Sequence, residues 1–119
     1  MKKVNLSDKF SLFDGHWEPK IAGELNGQFV KLAKLKGEFV WHQHESEDEF
    51  FMVIKGQLTI KLRDKDIELN EGEFFIIPKG VEHLPVAKNE VHVLIFEPKG
   101  TVNTGSTVSD KKLINLEVI

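Results

Sequence analysis

The residues best suited to chemistry in this 119-residue chain lie in one decapeptide, WHQHESEDEF, at positions 41–50. Two histidines stand two apart, four polar residues follow, and Glu49 then opens an apolar run. Residues i and i+2 of a strand share a face, so His42 and His44 project together while Trp41 and Gln43 face away. Residues 45–48 read as a hairpin loop, which returns Glu49 beside His44 on the same inward face. A carboxylate turned inward requires a cation, because an unpaired buried charge is costly. A further donor comes from GEFFIIPKGVEH, where a turn with Pro78 at i+1 and Gly80 at i+3 delivers His83 to the start of a strand. Three imidazoles and one carboxylate form a donor set for a divalent metal.

Other ionisable residues fit less well. Glu45, Glu47 and Asp48 read as solvated loop charges, with Glu47 in reserve should the loop register slip. A turn centred on Asn89-Glu90 would pair His92 with Ala87. That sets it four residues, or ~13 Å, along the strand from His83, inside the barrel but away from the metal. His16, beside Trp17 in a turn-like stretch, reads as a surface or packing residue.

The elements that must position these residues are strands. Asn26-Gly27 separates two apolar stretches, the strongest short hairpin cue. EFVWHQH, FFMVI, LTIKL, IEL, FFII, HLPVA and VHVLIF follow as short strands with a turn between each, the last two joined through Lys88–Glu90. SDKF, from Ser7, supports at most one helical turn. The pattern predicts an all-β sandwich or barrel. Residues 1–119 read as one domain, with a core over about 28–97, an N-terminal strand or hairpin segment over 1–27, and a tail over 98–119 that packs on the barrel. FFMVI, FFII and VHVLIF are apolar on both faces, which requires cover on both sides. The N- and C-terminal segments could supply that cover, but the number of strands involved favours a two-fold homodimer.

Two stretches resemble a known family. GEFVWHQHESEDEFFMVIKG, from Gly37 to Gly56, is similar to the first cupin motif. GEFFIIPKGVEHLPVA, from Gly72, is similar to the second, and the fifteen residues between them match the shortest spacer of that family. The resemblance covers about the middle half of the chain. It implies a double-stranded β-helix, or jelly-roll barrel, with His42, His44, Glu49 and His83 as metal ligands. Two departures stand out. Gly37 and His42 are separated by four residues where the family usually has five, and Ala87 stands where the second motif ends in asparagine. Neither touches a ligand, but both argue against carrying over the activity of a distant relative.

Three nitrogens and one oxygen suit Mn²⁺, Fe²⁺, Ni²⁺, Cu²⁺ or Zn²⁺ without distinguishing among them. The leading expectation is a metal-dependent enzyme of oxygenase or isomerase type acting on a small molecule. The alternative is a non-catalytic module that binds or senses a small ligand, with a structural metal. Strand alternation marks Val40, Phe51, Val53, Phe75 and Ile77 as pocket walls. No general base is evident beyond the ligands.

Composition narrows the partners. Net charge is −3 and no basic patch interleaved with aromatics occurs, which argues against nucleic acid. Apolar runs of four to six residues fall far short of the ~20 of a membrane helix. The start VNLSDKF after Met1-Lys2-Lys3 has no secretory character, and the lack of cysteine fits a cytoplasmic setting. The one arginine, Arg63, lies in the turn-like RDKD. An anionic ligand must therefore be held by lysine, metal or backbone.

Overall fold

The computed structural model describes residues 1–119. A single turn of helix, α1 (Leu6–Phe10), is capped by Asn5, whose side chain accepts from the amide of Asp8. The strands are β1 (Lys20–Leu25), β2 (Gln28–Glu38), β3 (Glu49–Lys55), β4 (Leu58–Leu62), β5 (Asp66–Leu69), β6 (Phe74–Ile77) and β7 (His83–Pro98). β1 and β2 form the expected hairpin about Asn26 and Gly27, at φ 49° and 78°. All ladders between these strands are antiparallel.

The organising element is β7. Sixteen residues long, it was expected as two strands joined by a turn at Lys88–Glu90. It does not reverse there. Its first part, His83–Val86, pairs with β4, and its second part, Val91–Pro98, pairs with β2 and with β3. Between them Leu35 faces Val91 and Gly37 faces Ala87, so β7 carries extra residues opposite Lys36. Such a bulge bends a strand without ending it. The exposed polar run Lys88-Asn89-Glu90 marks that bend, where the partner of β7 changes from β4 to β3, and polar exposure alone mimics a turn.

The bend changes the position of His92. It pairs with Lys34 and Lys55, not Ala87, and it stacks on Phe10 at 4.6 Å on the outer side of the sheet. The barrel interior is filled instead by Ala33, Leu35, Phe51, Val53, Val91, Val93 and Ile95, with Leu58 and Ile60 from β4 and Leu69 from β5.

Residues after Pro98 contain no regular element, yet they are tied down. The amide of Ile21 donates to the Glu117 carbonyl, and that of Ile119 donates back to Ile21. Thr107 donates its hydroxyl to the Trp41 carbonyl, and the Lys111 ammonium reaches the carbonyls of Glu38 and Phe39. The tail thus clamps the segment that carries His42 and His44.

Candidate metal centre

His42 and His44 do not lie on a continuous strand. β2 ends at Glu38, and residues 39–48 have no ladder beyond one bridge between His42 and His83. In that bridge the two backbones exchange both hydrogen bonds, at 3.0 and 2.9 Å. The second motif is therefore paired directly onto the first, and the His42 and His83 ring centroids lie 4.1 Å apart. Alternation still holds locally, since His42 and His44 are buried while Trp41 and Gln43 are partly exposed.

Glu49 reaches His44 by another route than a 44–49 hairpin. It pairs with Ile77 in the β3–β6 ladder and turns inward with Phe51 and Val53. The turn before His83 also differs from expectation. The Val81 amide donates to the Pro78 carbonyl, so Pro78 is at i and Gly80, with φ 80°, is at i+2. That is the type II position that favours glycine. The Gly80 amide donates to the His44 carbonyl, and the Lys79 amide to the Asp48 carboxylate. Asp48 is thus a tie between the two loops, not a free surface charge.

The outcome is a closed quartet. One donor atom from each of His42, His44, Glu49 and His83 lies within 4.8 Å of the others, and all four residues are buried. Glu47 and His92 stand outside it.

The donors are also prepared for a cation. The Nδ1 of His42 is 2.8 Å from the Val40 carbonyl, and that of His83 is 2.9 Å from the Val81 carbonyl. A carbonyl can only accept, so each Nδ1 carries the hydrogen and each neutral ring presents a bare Nε2. His83 Nε2, Glu49 Oε1 and both ring nitrogens of His44 are buried without a hydrogen-bond partner. His44 Nε2 comes within 3.0 Å of Glu49 Oε2, but the contact lacks the direction of a hydrogen bond. Orphaned buried acceptors are rare and costly. A bound cation would satisfy His83 Nε2, Glu49 Oε1 and one ring nitrogen of His44 at once.

The electrostatics agree. Burial, and then the neighbouring His83, lowers the His42 pKa to about 4, so this imidazole is neutral at pH 7. Burial opposes ionisation of Glu49, but its contacts with His44 and His83 outweigh that and hold its carboxyl well below the usual range. An ionised Glu49 beside a neutral His42 is the charge state that metal binding needs.

Beside the quartet lies a cavity of about 40 Å³, room for a few waters. Of the five expected wall residues only Phe51 lines it. Val53 and Ile77 are packed in the core, Phe75 packs against that core, and Val40 contributes its carbonyl to His42. The walls come instead from Leu35 and Ile95, from Pro85, and from Phe39 stacked on Trp17 at 4.8 Å. Expectation failed here because alternation names the inward face of each strand but not how far along the barrel the cavity sits.

Lys31 and Glu97 also line the cavity, and neither was anticipated. Their ion pair is 2.7 Å long and both are buried. Extending the pairing of Phe50 with Phe96 by one residue sets Glu97 opposite Glu49. Burial, and then the charge of Glu49, raises the Glu97 pKa well above the ordinary value, with Lys31 opposing. Arg63 is remote from the cavity: it stacks on Trp41 at 3.7 Å and pairs with Glu82 at 2.9 Å.

Residues 28–105 match the cupin domain. The chain belongs to the cupin family. A crystal structure of a cupin-2 domain protein from Shewanella frigidimarina is 51% identical, with a TM-score of 0.80 over 81% of this chain and 94% of that one. The uncharacterized protein YdbB of Bacillus subtilis is 41% identical over 61 residues, covering 50% of this cupin and 54% of YdbB. A 3-hydroxyanthranilate 3,4-dioxygenase of Meyerozyma guilliermondii is 39% identical over 59 residues, 44% of this chain and 35% of that enzyme. This cupin thus spans about half the length of YdbB and a third of that dioxygenase. No helix is long and apolar enough to cross a membrane.

Proposed function

We propose that this cupin binds one divalent metal ion through His42, His44, Glu49 and His83 and acts on a small molecule at that centre. The observation that carries the reading is the set of buried, unpartnered donor atoms that converge there. Four protein donors leave two positions of a six-coordinate ion for small ligands, where it would supply Lewis-acid or oxygen-binding chemistry. The protein's own contribution is orientation and dryness. The Val40 and Val81 carbonyls hold the tautomers of His42 and His83, Glu49 supplies the negative charge, and Phe39, Phe51 and Ile95 keep bulk water away.

The likeness to a 3-hydroxyanthranilate 3,4-dioxygenase supports oxygenase chemistry over isomerase chemistry. The remote Arg63 points the same way, since a phosphosugar isomerase needs a phosphate grip. A test is to load the protein with Co²⁺ or Fe²⁺ and add a small bidentate guest or nitric oxide. A change in the optical or spin spectrum is expected. An unmoved spectrum at saturating guest, with native zinc in four-coordinate form, would leave only a structural metal.

The outer sheet face supports the homodimer. Val30, Phe96, Phe50 and Ile76 form one cross-strand row, and Leu32, Leu94, Met52 and Phe74 form the next. Phe10 and Phe13 cover only Leu32 and Leu94, while Ile76 and Phe74 are 51% and 57% exposed. Two apolar rows across four strands suit a second copy of the same face.

A further inference from the structure

The geometry points to a second compartment, next to the metal centre and built by the tail, that receives a small organic carboxylate with an apolar body. The inference deepens the metal-centre reading and rests on it only for the direction in which the ligand faces.

The cavity beside the quartet is too small for the body of a substrate. A larger one of about 340 Å³ adjoins it, within the range of small-molecule sites. Lys31 and Asn103 line both cavities and so stand between them. Phe29 of β2, with Leu113 and Leu116 of the tail, gives the larger one apolar walls, and no Asp or Glu lines it. Asn103 fixes the tail at the junction, because its side chain donates to the Lys111 carbonyl and accepts from the Leu113 amide.

Two polar groups at this site lack partners. Lys31 is 2% exposed, and the one hydrogen bond of its ammonium goes to Glu97. An ammonium has three donors, so two remain for an acceptor inside the cavity. Thr101 is 7% exposed, lines the larger cavity, and has a buried hydroxyl with no partner. A carboxylate can accept from both, and each charge-assisted bond is stronger than a neutral one. Phosphate fits less well. The second lysine of the wall, Lys99, is half-exposed and pairs with Glu24 at 3.3 Å, and Lys31 already holds Glu97 at 2.7 Å. A single negative charge suits that balance. The ligand's apolar part would lie against Phe29 and the tail, with its polar head at Lys31 toward the metal ligands.

Benzoate and its uncharged analogue benzamide provide the test, titrated calorimetrically into protein stripped of metal by a chelator. Benzoate should bind at least about tenfold more tightly, as expected of a hydrogen bond to a charged group. The paired change Lys31→Met with Glu97→Gln removes both charges together and should bring the two affinities level. Thr101→Val, nearly isosteric, should weaken benzoate several-fold even if the paired variant does not fold. Equal binding of the two probes by the native protein would overturn the inference, as would a preference that survives both variants. Metal content is measured in parallel. Benzoate binding by a protein that takes up no metal would sink the metal centre and leave the carboxylate site standing.

Discussion

Lowering the pH of the metal-free protein should destabilise it through His42, against an opposing contribution from Glu97, whose raised carboxyl favours the folded state as it takes up its proton. An unfolded histidine takes up its proton near pH 6.5, whereas burial and His83 keep the folded imidazole neutral until about pH 4. Across that window the unfolded state binds more protons, so stability falls as pH is lowered. His42 is 4% exposed, so solvent screening removes little of the effect. The complete depression from 6.5 to about 4 corresponds to about 3 kcal/mol, of which about 2 kcal/mol falls between pH 7 and pH 5. Glu49 acts lower down. Its folded carboxyl sits well below the usual range, so its contribution is present above the unfolded pKa and is lost as pH falls through the folded one. Urea unfolding of chelator-treated protein at pH 7, 6 and 5, at one protein concentration, measures the slope through Trp17 and Trp41 fluorescence. His42→Asn keeps a donor for the Val40 carbonyl but cannot titrate, so it should be less stable at pH 7 and should lose the parent's decline between pH 7 and 5. If its stability declines as steeply as that of the parent, His42 is not the source.

Replacing His44 by alanine should abolish stoichiometric metal by elemental analysis, while His92→Ala should retain it; the reverse pattern would displace the centre. The parent protein should sediment at about twice the monomer mass at micromolar concentration, and Ile76→Lys, which sets a charge in the open apolar row, should sediment as a monomer. A Cβ at Gly105 would collide with the Gln43 carbonyl next to His44, so Gly105→Ala should cost about 1–3 kcal/mol in unfolding experiments and weaken metal retention. Unchanged metal affinity in that variant would mean that the tail does not support the centre.

The quartet of His42, His44, Glu49 and His83 was legible because its signal is local. The two-residue spacing of His42 and His44 survives even though the segment is not a strand, because a single bridge to His83 fixes the same alternation. Glu49 is found from either register, since β3 begins there whichever neighbour it takes. The bend of β7 was not legible. Lys88-Asn89-Glu90 has the composition of a turn, and only its partners decide between reversal and bulge. Those partners are distant in sequence, on β2 and β4. Placing His92 inside the barrel failed for the same reason.

The ion pair shows a different kind of concealment. Lys31 shares strand phase with Ala33 and Leu35, and Glu97 with Val91, Val93 and Ile95, so alternation along β2 and β7 would turn both charges inward. The sign of that phase is what the residues obscure. Lys34, of opposite phase, is also buried, its ammonium donating at 2.6 Å to the Phe13 carbonyl beneath the N-terminal segment. On β7 both faces are apolar, because one fills the barrel and the other forms the rows that include Phe96 and Leu94. A strand covered on both sides gives no hydrophobic contrast from which to read its inward face. Opposite charges at diagonal inward positions of paired strands are then the more telling feature. An isolated lysine can turn its end to water, but Lys31 and Glu97, close along adjacent strands and buried together, cannot both do so. Burying such a pair rarely adds stability over apolar packing. Its place at the junction of two cavities, with ammonium donors left unfilled, fits recognition better than folding.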